Sequence, residues 1–450
     1  MITQPLDGRL TLARLATLAT LHGHPGALGV DCTGVCNETR PTSICAICGG
    51  RYDARFTHCY KPLVGPQMKA DKAYDVAVIG AGSFGAWTAY ELRRAGRTVV
   101  LLDAYGPANS RASSGGESRI IRMGYGPDEI YSRWSMRSLT LWQEFFRQAQ
   151  MPLFQPTGVL WLAREGDDYN KHSLETFQKL GVPHQTLSPA DLERRYPQIT
   201  LGPITWGLLE TESGVLVARR AVQAVVEEAV KNGVDYRVAL AVTPSGGRKL
   251  SSLKTLDGAI SAALFVFACG PWLPKLFPAL LGGRIFTTRQ EVYFFGVPAG
   301  DTRFAPPAMP TWISLGDEFY GMPDLENRGF KVALDRHGPV FDPDTGSRVT
   351  TAEGLAAVRE FLAQRFPALK EAPVLETRVC QYENTSNGDF LIDRHPEFDN
   401  MWLVGGGSGH GFKHGPAVGE YVAARIMEGG AVEPRFTLAT KGRIQQRAVF

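Results

Sequence analysis

Apolar and polar positions follow no sustained period over residues 1–67, whereas from residue 74 onward two periods alternate. Short β-branched runs mark buried strands, and stripes at helical spacing mark amphipathic helices. Val76, Val78 and Ile79 read as a buried parallel strand, residues 99–102 as a second, and an amphipathic helix lies between them. Leu139, Trp142, Phe145 and Phe146 share one face of a helix at 131–148. Strands follow at 157–163 and around Leu187 and Trp206. Val222, Val225, Val226 and Ala229 then repeat at helical spacing, with Gly233 where a C-cap is expected. Alternating strands reach Ala263, and the apolar run 264–268 enters the turn Cys269-Gly270-Pro271-Trp272, where Cys269 reads as a small buried hydrophobe. Residues 285–345, rich in aromatics and turns, suit a β-sheet with a ligand-facing surface. Residues 350–353, Thr-Thr-Ala-Glu, read as a capping box before a helix whose apolar face is Leu355, Val358, Phe361 and Leu362. Late strands at 390–393 and 402–404 lead into a helix at 418–427.

Composition narrows the class. A chain of 450 residues exceeds one ordinary core, so two domains, with segments free to interleave, are expected. Hydrophobic content of 44% and charge of 21% are those of a globular protein, and a net charge of +3 without a dense Lys/Arg block speaks against nucleic acid or a membrane surface as partner. No apolar run is long enough to span a membrane. Five of the seven cysteines precede residue 60, and the body keeps only Cys269 and Cys380, as expected of an intracellular, cytoplasmic, disulfide-free protein.

Residues 1–67 admit three readings. Cys32, Cys36, Cys45 and Cys48 offer four thiolates for zinc, although only one half of the spacing is conventional. The acid-free stretch 10–21 with Arg14 resembles a targeting helix with thin basic content. A disordered or non-native extension, with Met68 as a natural start, is the third and preferred reading, and it leaves the body without a metal site.

The chemistry begins in the first turn. Gly80, Gly82 and Gly85 form G-x-G-x-x-G directly after a strand, a pattern that allows a tight bend, close approach of N–H groups to a diphosphate, and close helix packing. Asp103, ending the next strand, suits a ribose 2′-hydroxyl. These residues imply a dinucleotide and leave FAD and NAD open. A second glycine-rich turn, with Gly405, Gly407 and Gly409, implies one cofactor held from both ends of the chain.

Four motifs then occur in order: Glu-Ser-Arg-Ile-Ile-Arg at 117–122, Gly329-Phe330-Lys331, Cys380-Gln381-Tyr382, and Ser-Gly-His-Gly-Phe-Lys at 408–413. Over about residues 72–440 the chain resembles the monomeric sarcosine oxidase and N-methyltryptophan oxidase family, within the D-amino-acid oxidase-like flavoproteins. The resemblance implies FAD and an α/β fold, with a glutathione-reductase-like Rossmann domain interleaved with an antiparallel substrate domain. The expected segments are 71–155, 205–284 and 376–436 for FAD, and 156–204 and 285–375 for the substrate. An extension at 1–70 and a tail at 437–450 flank them.

The resemblance also assigns roles. Cys380 matches the cysteine bonded to the flavin 8α position, and Lys331 the lysine that activates oxygen. Arg122 and Lys413 match the pair holding the substrate carboxylate, while Ser118, where the family usually has Thr, and Arg119 match groups beside the flavin. His410 and Tyr320 match an active-site histidine and tyrosine. Asp335, with His337 close by, stands where the family commonly has a substrate-pocket histidine, so an acid there either repels a carboxylate, attracts a second amine, or is an ordinary turn residue. The implied reaction is oxidation by O2 of a secondary amine on a small N-methyl amino acid, in a monomer. Oxidation of a cyclic amino acid such as pipecolate, a dehydrogenase using another acceptor, and a vestigial flavin-binding regulatory protein are the alternatives.

Overall fold

The structure, a computed structural model, describes residues 73–446. The possible zinc set Cys32, Cys36, Cys45 and Cys48, the stretch 10–21 and the last residues, 447–450, lie outside the described residues. No helix among the described residues is long and apolar enough to cross a membrane.

Tyr74–Ile79 (β1) runs inside a seven-stranded sheet, parallel to Val99–Asp103 (β2) on one side and to Gly258–Phe267 on the other. Beyond them lie Met401–Gly405 and Leu391–Arg394 at one end and Asp235–Val238 at the other. A parallel strand covered on both faces needs apolar residues at successive positions, and Val76, Ala77 and Val78 are all buried. The helix Ser83–Arg94 (α1) starts directly after the glycine turn. Gly80 has φ +105°, and a Cβ on Gly85 would run into the Gly80 carbonyl, so the turn closes only with these glycines. Trp87 on α1 meets Trp142 edge-on at 5.0 Å and Phe145 at 5.2 Å. Each such pair adds about 0.5–1.5 kcal/mol beyond area burial. The helix predicted at 131–148 is Glu129–Ala149 (α2), which supplies both partners.

A second, eight-stranded sheet has the order Val374–Thr385, Ile285–Phe295, Phe330–Leu334, Phe319–Met322, Thr311–Ser314, Val159–Arg164, Ile204–Glu210, His184–Leu187. All neighbours are antiparallel except Thr311–Ser314 and Val159–Arg164. A small sheet joins Arg119–Ile121 (β3), Gly214–Leu216 and Phe154–Gln155.

Three local details differ from the sequence reading. Ile204–Glu210 and Val374–Thr385 hydrogen-bond into the eight-stranded sheet, whereas the boundaries at 205 and 376 grouped most of them with the cofactor segments. Strand alternation looks the same in either sheet, so pattern alone does not assign membership. The helices Asp168–Leu180 and Pro189–Arg195 were not anticipated. The helix Ala352–Arg365 is capped by Thr351, which accepts the Gly354 N–H at 3.0 Å. Gly354 therefore occupies the position that a capping box gives to an acid.

Candidate active site

Where β1 and β2 end, a cavity of about 480 Å³ opens along the edge of the first sheet. Gly80, Gly82, Ser83 and Asp103 line one end, and Arg119, Cys380, Tyr382 and Gly409 the other. Gly407 also lines it, while Gly85 and Gly405 are absent from the lining. Asp103 accepts the Ala81 N–H at 2.8 Å and the Tyr105 N–H at 2.9 Å, and burial raises its pKa. At the start of α1 the Ser83 N–H donates to Ser114 Oγ at 3.0 Å.

At the opposite end, Lys331 on Phe330–Leu334 is 3% exposed. Its Nζ donates to the Ser118 carbonyl at 3.0 Å and to Ser118 Oγ at 3.3 Å. Burial, and then the Arg119 guanidinium, push its pKa down to about 7. A small cavity of about 20 Å³ adjoins it, lined also by Glu117, Arg119 and Cys380. Arg119 bridges the group, donating to the carbonyls of Ser118 at 2.8 Å and Ser113 at 2.7 Å, and to Cys380 Sγ at 3.2 Å. The Tyr320 ring lies 6.0 Å from Lys331 Nζ, and burial, with Asp335 adding to it, pushes its phenol up to about 12.

A third cluster lies where the loop after β3 meets the second glycine turn. Arg122 is buried, sandwiched between Tyr125 at 4.5 Å and Trp161 at 4.9 Å, and donates to the Gly124 carbonyl. Lys413 Nζ donates to Tyr125 Oη at 2.7 Å and to the His410 carbonyl at 3.0 Å. Burial and the neighbouring Arg122 hold its pKa well below the usual lysine value. Half-buried Asp335 accepts from Tyr382 Oη at 3.2 Å. Burial raises its pKa to about 6, and Arg122 and Lys413 pull against that rise. The His410 ring is stacked on Phe390, with its nitrogens 3.1 Å from Tyr125 Oη and from the Gly388 carbonyl, and it does not line the cavity. His337 turns away toward Gln445, at 2.6 Å.

The FAD dependent oxidoreductase family (DAO) matches residues 75–425. This chain belongs to that family. The oxidoreductase is 31% identical to the human peroxisomal sarcosine oxidase, covering 83% of this chain and 96% of that protein. It is 30% identical to the monomeric sarcosine oxidase of Arthrobacter sp. (80% and 94% covered) and 30% identical to the N-methyl-L-tryptophan oxidase of Citrobacter koseri (81% and 97%). In fold it is similar to L-proline dehydrogenase from P. horikoshii, with a TM-score of 0.72 at 22% identity over 82% of this chain and 97% of that one. These findings bear out the α/β flavoprotein fold and the recognition of the family.

The cavity of the oxidoreductase fits FAD. N–H groups at the start of α1 suit a diphosphate, Asp103 suits a ribose hydroxyl, and the distance between the two glycine turns is filled by one continuous space. Four residues of these clusters carried no signal in the sequence. Tyr125 joins Lys413 to His410 and His414, Trp161 covers Arg122, and Glu383 stands in the cavity wall. Buried Glu210 accepts the N–H groups of Met123 at 2.7 Å and Gly124 at 3.0 Å and of the Trp161 indole at 2.8 Å. Each acts across a long sequence separation, as between Met123 and Glu210, so no local spacing announces it.

Proposed function

We propose that this oxidoreductase oxidises the secondary amine of a small N-methyl amino acid such as sarcosine. The imine formed is hydrolysed to the free amine and formaldehyde, and dioxygen is reduced to hydrogen peroxide. The observation that carries this reading is the convergence of Arg122 and Lys413 on Tyr125. Both side chains are buried, and among the described residues neither forms an ion pair. Arg122 stays charged when buried, and a substrate carboxylate beside it would also favour the ammonium form of Lys413, which burial and Arg122 otherwise disfavour.

FAD, when bound, provides the two-electron acceptor that takes a hydride equivalent from the substrate and passes electrons to oxygen. Arg122 offers the planar fork and Lys413 the point charge that orient the carboxylate. Asp335 faces the same cations and supplies an acceptor for the substrate amine or its proton. Lys331, held by Ser118, places a positive charge where negative charge develops on oxygen. Arg119 donates to Cys380 Sγ at 3.2 Å and would hold the thiol in place if Cys380 is the attachment point for the flavin ring. Ser118 and Tyr320 complete the wall around Lys331.

The test is a panel of N-methyl, cyclic and primary amino acids incubated in air with purified protein, with peroxide and formaldehyde both measured. Equal yields of the two products from N-methyl substrates are expected. Flavin bleaching without peroxide would convert the reading to a dehydrogenase, and faster turnover of a cyclic amino acid would replace the substrate. The same preparation on a denaturing gel shows flavin fluorescence in the protein band if Cys380 is the attachment point, and loses it in Cys380→Ser.

A further inference from the structure

On the reading that Arg122 and Lys413 hold the substrate carboxylate, one proton is left unaccounted for. A free N-methyl amino acid carries an ammonium group, whereas loss of a hydride equivalent from the carbon beside nitrogen needs the nitrogen lone pair. The site must therefore take a proton from the substrate before oxidation. The hydrogen bonds around Lys413 show a group ready to receive it.

Lys413 is 4% exposed, and its Nζ donates to Tyr125 Oη at 2.7 Å and to the His410 carbonyl at 3.0 Å. Tyr125 Oη also meets His410 Nδ1 at 3.1 Å and His414 Nε2 at 2.8 Å, and a phenol has one hydrogen to give and two lone pairs. The second His410 nitrogen, Nε2, faces the Gly388 carbonyl at 3.1 Å and so carries a hydrogen. In the neutral imidazole Nδ1 is then bare and takes the Tyr125 hydrogen. The two Tyr125 lone pairs are filled by N–H groups of Lys413 and His414, which puts the His414 hydrogen on Nε2. In agreement, His414 Nδ1 is sealed from solvent and has no hydrogen-bond partner among the described residues. A further proton has no acceptor at either ring: on His410 it would bring a third donor to Tyr125, and on His414 it would face nothing. Lys413 Nζ has three positions for a hydrogen or a lone pair, and only two meet acceptors among the described residues. A neutral amine with its lone pair in the third position satisfies this surround, whereas an ammonium ion would bury an unmatched N–H. The charged groups facing Lys413 from other elements are Arg122, Glu210 and Asp335. Glu210 is already shared among four donors, and Arg122 opposes a second positive charge.

We propose that Lys413 meets the substrate as a neutral amine and takes the proton from the substrate ammonium group. An N–H bond of the ammonium breaks, its electron pair stays on the substrate nitrogen, and a new N–H bond forms at Lys413 Nζ. The substrate keeps the neutral amine that oxidation requires, and Lys413 becomes the ammonium ion that pairs with the carboxylate. No proton is exchanged with solvent. Asp335 is the other base facing this site. A proton on Asp335 would leave the carboxylate with Arg122 alone, whereas a proton on Lys413 gives it a second cation and keeps Asp335 as an acceptor for the amine N–H.

Propionate, a carboxylate without an ammonium group, separates binding from transfer. Titrated calorimetrically into the full-length holoenzyme at about pH 8, in buffers of different ionisation enthalpy, it is expected to bind with uptake of up to about one proton, because the new ion pair raises the Lys413 pKa. Lys413→Arg keeps a cation that cannot be neutralised and is expected to bind propionate without uptake. Anaerobic stopped-flow reduction of the flavin by the fastest substrate of the amino-acid panel then follows transfer between about pH 7 and about pH 9. Its second-order rate constant is expected to stay flat in the wild type and to climb roughly tenfold per pH unit in Lys413→Arg, where only substrate already deprotonated in solution reacts. Asp335→Asn is expected to keep the flat profile. Propionate binding without proton uptake, uptake that survives Lys413→Arg, or a climb that appears in Asp335→Asn instead would overturn the proposal alone. Propionate that fails to bind, or binds Arg122→Met and Lys413→Met as tightly as the wild type, would overturn the carboxylate reading with it.

Discussion

Lys331 shows how one buried charge sets a pH window. Burial and Arg119 depress its pKa from 10.5 to about 7, so the ammonium form dominates below that value and the neutral amine above it. If that charge drives the reaction with oxygen, stopped-flow reoxidation of the reduced enzyme slows as pH rises through about 7. In Lys331→Met, reoxidation is expected to be about a hundredfold slower or more, and insensitive to pH over the same range. Reduction by substrate should change little. Equal slowing of both half-reactions would reassign Lys331 to substrate positioning. Lys331 itself was legible in the sequence because a lysine inside an apolar strand alternation stands out. Its partners were less so: Ser118 holds it partly through a backbone carbonyl, which any residue could provide.

At the scale of elements, the segment from β3 to α2 is held by a side chain from another sheet. Glu210 gathers the Met123 and Gly124 N–H groups, the Trp161 indole and the Ser213 hydroxyl, and this fixes the loop that presents Arg122 and Tyr125. Glu210→Gln replaces an acceptor-only group by an amide whose donors oppose those N–H groups. KM for the amino acid is expected to rise about tenfold, ~1.4 kcal/mol, while the flavin spectrum is unchanged. Loss of flavin instead would show that Glu210 supports the whole fold rather than the loop. Strand, glycine turn and helix around Gly80 were readable because period, turn residues and terminal acid lie within one continuous stretch. The cap at Thr351 was misplaced by one position because two adjacent threonines offer the same hydroxyl, and only the backbone decides which one precedes the helix. Asp168–Leu180 went unseen, and three of its four fully buried residues, Asn170, Ser173 and Thr176, are polar, so its inward face carries no continuous apolar stripe.

Across the whole molecule, the FAD cavity draws its wall from β1, β2, the Cys269 turn, Val374–Thr385 and the second glycine turn. A ligand that bridges so many elements stabilises the folded state alone. Stripping flavin from Cys380→Ser is expected to lower the unfolding temperature, and FAD at about a hundredfold above its Kd to restore about 2.7 kcal/mol. A melting curve indifferent to FAD would contradict this. The interleaving of the two large sheets was legible only as an expectation, because membership of Ile204–Glu210 and Val374–Thr385 is decided by hydrogen-bonded neighbours and not by their own residues.

The position of β1 also has a consequence for synthesis on the ribosome. The first glycine turn emerges early, the partner strand Gly258–Phe267 only after more than half of the chain, and Cys380 and Gly407 only in its last fifth. A nascent chain therefore holds out a diphosphate-binding turn long before it has a place for the flavin ring. A chain arrested before Gly407 lacks one wall of the cavity and is expected not to retain FAD, which flavin fluorescence of the arrested complex would check.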